Sequence, residues 1–124
     1  MPRRSALTEE KRLKSFAQAL DLANEPGLIE AYKRHHRAVW PEVLAALRAM
    51  GIARMKIFLV GSRLFMYFEA PDEFDPSRDF QKYAEDPRCR AWDTWMRTFQ
   101  RRLAEAEPKD WWTPMEEVFD LERA

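Results

Sequence analysis

The chain has 124 residues, the size of a single domain, and its 21 Lys and Arg residues balance its 21 Asp and Glu residues. Hydrophobic residues make up 46% and charged residues 34%, as in a soluble globular protein, and the zero formal net charge indicates neither a nucleic-acid nor a membrane partner. The single cysteine, Cys89, excludes an internal disulfide and a metal site built on cysteine pairs, and it favours a reducing, cytoplasmic location.

Hydrophobic spacing and turn residues predict one domain over residues 13–124, preceded by a flexible polar extension over residues 1–12. No run of about 18 apolar residues is present, so no membrane-spanning helix is predicted. The predicted elements, in chain order, are a strand over 15–22, helices over 26–40 and 41–50, strands over 54–60 and 63–69, helices over 79–84 and 87–105, and a strand over 115–121.

Proline, glycine and aspartate residues mark the predicted boundaries. Pro41 predicts a break after Trp40, because proline disfavours a helical conformation in the residue before it. Gly51 is the expected stop of the second helix. Gly61-Ser62 is a two-residue turn, which makes the flanking strands a hairpin. Asp86 is the expected N-cap of the long helix that follows it.

The order strand, helix, strand, strand, helix, strand is typical of a ferredoxin-like α+β sandwich, with a four-stranded antiparallel sheet and helices on one face. Both faces of the predicted hairpin are apolar, since Leu64, Met66 and Phe68 alternate with Phe65 and Tyr67. A sheet with one solvated face should instead alternate apolar and polar residues. The second face therefore predicts a homodimer in which two sheets face each other.

The most informative segment runs from Tyr32 to Glu42 and contains both histidines. Positions four apart share a helical face, so Tyr32, His36 and Trp40 are predicted to line one surface with a hydroxyl, an imidazole and an aromatic plane. Such a surface suits a small polar ligand with an apolar side, such as a sugar. His35 points about 100° away and is expected near solvent. Aromatic and imidazole rings in this spacing also occur as ordinary core packing, and residue types alone leave both interpretations open.

Other chemistries find little support in the sequence. Only three glycines are present, without a glycine-rich phosphate loop, and no serine lies in a nucleophile-elbow context. The two histidines are adjacent rather than four apart, so no histidine pair for a metal is predicted. What remains is acid–base chemistry at His36, assisted by Tyr32 and nearby carboxylates.

Three segments carry a family resemblance: Tyr32-x-x-x-His36-x-x-x-Trp40-Pro41-Glu42, Cys89-x-x-Trp92-x-x-x-Met96, and the terminal residues 115–121. Together they resemble the L-rhamnose mutarotase family, which includes members acting on L-fucose. The resemblance covers roughly residues 13–122, and the first segment is its most specific part. It implies a small ferredoxin-like protein that forms a dimeric α/β barrel. It also implies interconversion of the α and β anomers of a 6-deoxy-L-hexose without a metal or cofactor.

The resemblance implies roles for individual residues as well. Tyr32 and His36 match the catalytic tyrosine and histidine of the family, and Trp92 matches the first of two adjacent tryptophans that contact the sugar. Asp93 stands where rhamnose-type members have the second tryptophan, and an acidic residue there is similar to the fucose-type members. Its carboxylate is expected either to accept a hydrogen bond from a sugar hydroxyl or to lie on the solvated side. Trp40 is expected to form a wall of the substrate site.

Mutarotation fits the chemistry of these side chains. Opening a pyranose ring removes a proton from the anomeric hydroxyl and delivers one to the ring oxygen, and a group with a pKa near ~6.5 serves in both directions at neutral pH. The sequence therefore predicts a cytoplasmic isomerase acting on L-rhamnose or L-fucose, with His36 as the main proton-transfer group. Two other functions stay open on the same scaffold: a cofactor-independent oxygenase or haem-handling protein, and a non-catalytic sugar-binding module.

Overall fold

The computed structural model describes residues 12–123, which form an antiparallel sheet and four helices. Apart from Arg12, the predicted extension over residues 1–12 lies outside the described residues. Within the described part, no helix is long and apolar enough to cross a membrane. The elements, in chain order, are β1 (Leu13–Leu22), α1 (Pro26–His35), α2 (Pro41–Ala49), β2 (Arg54–Val60), β3 (Arg63–Pro71), α3 (Pro76–Tyr83), α4 (Pro87–Arg97), β4 (Gln100–Arg101), β5 (Thr113–Pro114) and a 3₁₀ helix (Leu121–Arg123).

Strand β1 is central in the sheet, whose order is β2-β3-β1-β4 with β5 also paired to β1. One edge of β1 pairs with β3, and β3 pairs with β2 in the predicted hairpin. The other edge is divided between two short strands, because β4 pairs with Asp21 and Leu22 while β5 pairs with Gln18 and Ala19. The sheet of residues 12–123 therefore has five strands where four were predicted.

Burial alternates along β3 as the sequence predicted. Leu64, Met66 and Phe68 are 2%, 8% and 1% exposed, whereas Phe65 and Tyr67 on the opposite face are only half-buried. Leu64 on the inner face packs in one cluster with buried side chains of the helices, which include Tyr32, Val43, Tyr83, Cys89, Trp92 and Met96. Met66 and Phe68 pack in a second cluster with Ile52, Ala70 and Phe74. Burying one large apolar side chain contributes roughly 1.5–3 kcal/mol, so this inner face is the main source of stability.

The predicted helix caps are confirmed at two positions. Gly51 follows α2 with a φ of 97°, a left-handed conformation that glycine adopts without steric penalty. The Asp86 carboxylate accepts hydrogen bonds from the backbone N–H groups of Arg88 and Cys89 at 2.8 and 3.1 Å and thereby caps α4. Helix α3 begins at Pro76, three residues earlier than predicted, because Asp75 caps it in the same way.

Helix α1 ends at His35, so the predicted continuous helix to Trp40 is wrong. The chain tightens after His35, where Arg37 and Ala38 donate backbone hydrogen bonds to carbonyls three residues earlier. Trp40, which precedes proline, then has φ −59° and ψ 138° and lies outside both helices as the N-cap of α2. The break is therefore real, but the helix ends five residues before the position that the proline alone indicates.

Helix α4 ends at Arg97 rather than near Glu105. The Thr98 hydroxyl donates a 2.6 Å hydrogen bond to the carbonyl of Trp95 and closes the last turn. The next residues leave the helix to pair with the end of β1, where the Phe99 carbonyl accepts from the Ala23 N–H at 2.8 Å. Apolar spacing continues past this point in the sequence, which is why the pattern alone extended the helix.

The predicted strand over residues 115–121 is also wrong. Thr113 and Pro114 form the short strand instead, and residues 115–120 have no regular structure. Asp120 accepts a hydrogen bond from the backbone N–H of Glu122 and begins the 3₁₀ turn. Val118 and Phe119 are 88% and 69% exposed, so no burial in the described chain stabilises an extended pairing there.

Two glycine-to-alanine substitutions, at Gly51 and at Gly27, test the role of Gly51. We expect Gly51→Ala to lower the free energy of unfolding by about 1–2 kcal/mol, because its φ is 97° and a Cβ would lie 3.1 Å from Cδ of Pro71. Gly27→Ala, in the first turn of α1 with open space around its Cα, should leave stability unchanged or raise it by up to about 1 kcal/mol. Urea unfolding of both variants measures the difference, and equal effects would contradict this explanation.

Candidate functional site

The end of α1 meets the middle of α4, and the predicted site residues gather there. Tyr32 is 4% exposed, and the ring of His36 lies 4.3 Å from its ring, centroid to centroid, at an angle of 34°. His36 is half-buried and follows the last residue of α1 as its C-cap. The structure therefore brings Tyr32 and His36 together, although His36 lies just beyond the helix.

His36 is held through one of its ring nitrogens. Its Nδ1 lies 2.9 Å from the backbone carbonyl oxygen of Tyr32, and a carbonyl can only accept, so Nδ1 carries the proton and donates. In the neutral ring, Nε2 is then the unprotonated nitrogen that can take up a proton. Burial lowers the pKa of His36 below its usual 6.5, more than the hydrogen bond to Tyr32 raises it, and His35 lowers it further. At neutral pH the side chain is therefore a base.

Three tryptophans form a wall beside His36. Trp92, 5% exposed, stands edge-on to His36 with centroids 5.6 Å apart and to Trp40 at 5.2 Å. Trp40 in turn stacks on Trp95 at 5.8 Å. Trp92 and Trp40 were predicted to line the site, and the structure adds Trp95 to them. The three indoles give the site a broad apolar side.

His35 is not the solvent-facing residue that the sequence predicted. It is half-buried, and its ring lies 4.2 Å from that of Trp95 and 5.5 Å from that of Phe99. Adjacent positions of a helix do diverge, but α4 is broad enough to contact both histidines through different rings. His35 therefore packs behind the wall.

Asp93 lies among the helices rather than on the solvated side. The hydroxyl of Tyr83 donates a long, 3.4 Å hydrogen bond to its Oδ1. Burial raises the pKa of Asp93 to about 6, while Tyr83 and the positive charge of Arg97 oppose that rise. Its negative charge contributes to the raised pKa of Tyr32, which places the two side chains in the same electrostatic environment.

Two residues that the sequence did not indicate, Gln100 and Trp111, form a chain of hydrogen bonds that ends at the hydroxyl of Tyr32. Gln100 Nε2 donates to this oxygen at 3.0 Å, and the indole nitrogen of Trp111 donates to Gln100 Oε1 at 2.7 Å. Burial raises the pKa of Tyr32 to about 12, although the bond from Gln100 opposes this. The available signal was spacing, because Gln100 follows Trp92 by eight residues and Met96 by four.

These groups suit proton transfer to and from the oxygens of a small polar molecule with an apolar side. His36 supplies an unprotonated imidazole nitrogen, Tyr32 a neutral phenol, and Asp93 a carboxyl group with a pKa of about 6. Within residues 12–123, no cluster of three or more His, Cys, Asp or Glu side chains could hold a metal ion. The positions and protonation of His36, Tyr32 and Asp93 indicate a site suited to acid–base chemistry.

Comparisons with known proteins identify one matching family, related sequences and a related structure. Residues 15–121 match the L-rhamnose mutarotase family. The chain is 52% identical to a UPF0734 protein of Dictyostelium discoideum, over 88% of this chain and 90% of that protein. It is 37% identical to an L-fucose mutarotase of Xanthomonas campestris, over 90% and 91% of the two chains. The crystal structure of an L-rhamnose mutarotase from Formosa agariphila shares the fold, with a TM-score of 0.64, 22% identity, and coverage of 87% of this chain and 98% of that one.

The burial of Asp93 predicts a pH-dependent effect of Asp93→Asn. The folded protein holds the Asp93 proton up to a pKa of about 6, whereas the unfolded chain releases it near pH ~3.9. Ionisation therefore lowers the stability of the wild type as the pH rises through this window, by up to about 3 kcal/mol, and Asp93→Asn does not undergo this loss. Urea unfolding should show the variant gaining on the wild type between pH 4 and pH 7. A difference that stays constant over this range would contradict the burial of this carboxyl group.

Proposed function

The chain belongs to the L-rhamnose mutarotase family, and from that membership we propose that it interconverts the α and β anomers of a 6-deoxy-L-hexose, either L-rhamnose or L-fucose. The observation that carries this proposal is the orientation of His36. Its Nδ1–H is bound to the Tyr32 carbonyl, which leaves Nε2 as a base beside a neutral phenol and an aromatic wall.

In the proposed reaction, His36 Nε2 removes the proton from the anomeric hydroxyl. The C1–O bond to the ring oxygen breaks, C1 becomes a carbonyl carbon, and the ring oxygen takes up a proton. Rotation about the C1–C2 bond presents the other face of the carbonyl, and reversal of both proton transfers closes the ring. Tyr32 hydrogen-bonds to a reacting oxygen or relays the second proton. The lowered pKa of His36 keeps it unprotonated at neutral pH, as the first transfer requires.

The walls of the site are assigned to the sugar in the same proposal. Trp92 lies against the C–H face of the ring, and Trp40 continues that wall. Asp93 accepts a hydrogen bond from a sugar hydroxyl, and its position among the helices supports this assignment over the solvated alternative. The 37% identical relative from Xanthomonas campestris is named an L-fucose mutarotase, which supports L-fucose as one of the two candidate sugars.

The proposed assembly is a homodimer in the form of a dimeric α/β barrel. The sheet order β2-β3-β1-β4 supports a ferredoxin-like arrangement, because the first strand lies between the third and the fourth. On the outer face of the sheet, Phe58 stacks on Phe65 at 6.0 Å and remains 53% exposed, and Val60 is 76% exposed. Exposed apolar clusters of this kind mark interaction surfaces. A cytoplasmic location stays a prediction.

Exchange spectroscopy by NMR on equilibrated sugars tests the reaction. The wild type should accelerate α/β exchange of L-fucose or L-rhamnose above the spontaneous rate and leave an unrelated aldose unchanged. His36→Gln should reduce the catalysed part of the rate by about 10²–10⁴-fold, because the proton acceptor is lost.

The matched control for this experiment is His35→Gln, the same substitution one residue earlier. His35 packs behind Trp95, so this variant should retain most of the catalysed rate. Equal losses in the two variants would contradict the role assigned to His36. A wild type that binds the sugar without accelerating exchange would favour the non-catalytic sugar-binding module instead.

Light scattering at micromolar concentration tests the assembly. The wild type should have the mass of two chains, and Phe58→Glu should shift it towards one chain, because a charge would be buried between the facing sheets. Lys82→Glu on the exposed side of α3 is the control and should remain dimeric. A wild type with the mass of one chain would overturn the dimer.

A further inference from the structure

Gln100 is the only buried polar or charged residue among residues 12–123. It is 5% exposed, and the proposed proton transfers do not use it. Burying a polar amide is costly unless its donors and acceptor are satisfied. Gln100 meets this condition through two hydrogen bonds, one accepted from Trp111 and one donated to Tyr32.

The direction of these two bonds follows from chemistry. An indole N–H can only donate, so the group of Gln100 that faces Trp111 at 2.7 Å must be the carbonyl oxygen Oε1. The amide nitrogen Nε2 then faces Tyr32, and an NH₂ group can only donate. Tyr32 Oη, 3.0 Å away, is consequently the acceptor of this bond. Trp111 thus fixes the orientation of the Gln100 amide. The amide in turn makes the hydroxyl oxygen of Tyr32 a hydrogen-bond acceptor.

Contacts outside this chain of hydrogen bonds hold Gln100 and Trp111 in place. Gln100 pairs with Leu22 in the sheet, and the preceding carbonyl, of Phe99, accepts from the Ala23 N–H. The guanidinium of Arg97 lies over the indole of Trp111, 4.6 Å from its centroid. The backbone of Gln100 and the ring of Trp111 are therefore each held by contacts of their own.

We propose that Gln100, oriented by Trp111, is a positioning residue that makes the Tyr32 hydroxyl a hydrogen-bond donor to an oxygen of the sugar. This inference rests on the proposed mutarotase function. Because Tyr32 already accepts from Gln100, its own proton is directed away from the amide and is available to the substrate. Burial keeps that proton on the phenol at neutral pH. In this arrangement Tyr32 donates a hydrogen bond to a sugar oxygen, and His36 accepts a proton from the sugar.

Gln100→Glu tests the direction of the two hydrogen bonds, from Trp111 to Gln100 and from Gln100 to Tyr32, because glutamate has almost the same shape as glutamine. A carboxylate still accepts from Trp111, but it also accepts the proton of Tyr32 and removes it from the sugar. We expect kcat for anomer exchange to fall by about 10–100-fold while KM changes little, since the lost bond acts in the transition state.

Tyr32→Phe should show a similar loss, and the variant that combines Gln100→Glu with Tyr32→Phe should be no slower than Tyr32→Phe alone, because both substitutions act through the Tyr32 hydroxyl. Gln81→Glu, which adds the same charge on the exposed side of α3, should leave kcat unchanged.

Trp111→Phe and Gln100→Leu extend the test if a buried glutamate impairs folding. In Trp111→Phe the amide is free to turn its oxygen towards Tyr32, so kcat should fall although Gln100 is intact. In Gln100→Leu the indole N–H signal of Trp111, assigned by its absence in Trp111→Phe, should move upfield and exchange faster with solvent. This signal is measured without sugar and does not depend on activity.

Three outcomes would overturn the proposal: an unchanged kcat in both Gln100→Glu and Trp111→Phe, strictly multiplicative losses in the double variant, or an indole signal that Gln100→Leu does not alter. A wild type that fails to accelerate exchange overturns the proposed function and with it the role assigned to Tyr32 towards the sugar. The indole signal still decides, separately, whether Trp111 and Gln100 are hydrogen-bonded as described.

Discussion

The pairing of Leu22 with Gln100 is the contact on which the arrangement of the site depends. Helix α1 begins four residues after Leu22, and helix α4 ends three residues before Gln100. Two backbone segments at the end of one strand thus place Tyr32 on the first helix opposite Trp92 on the second. A separation of 68 residues along the chain becomes a single 3.0 Å hydrogen bond, from Gln100 to Tyr32.

Exclusion of water gives the gathered groups their chemistry. Burial is the largest influence on the pKa of His36, Tyr32 and Asp93, and in each case it favours the neutral form. For His36 this leaves a free base, and for Tyr32 it leaves a phenol that keeps its proton. Uncharged partners of this kind can exchange protons with a neutral sugar without building up a strong charge in a dry site. The hydrogen bonds that orient them come from backbone and amide groups, which carry no charge of their own.

Local signals in the sequence predicted most of the helices and strands. They gave the wrong element boundary where pairing with a distant segment of the chain ends a helix or forms a strand. Asp86 and Gly51 act at their own positions, so the predicted cap and stop are confirmed. The end of α4 depends instead on pairing between residues after Arg97 and the end of β1, which apolar periodicity does not contain. Likewise, the sheet gains a fifth strand because Gln100 and Arg101 leave the predicted helix and pair with the end of β1.

The sequence by itself determined the identity and spacing of Tyr32, His36 and Trp92, because side chains four apart on a helix, and motifs shared with a family, are properties of the chain alone. Only the tertiary structure decided that Asp93 is half-buried among the helices and that Gln100 binds Tyr32, since burial and long-range hydrogen bonds arise when separate elements meet. A sequence states which groups are available for chemistry. Their protonation and the direction in which they donate depend on the neighbours that folding supplies.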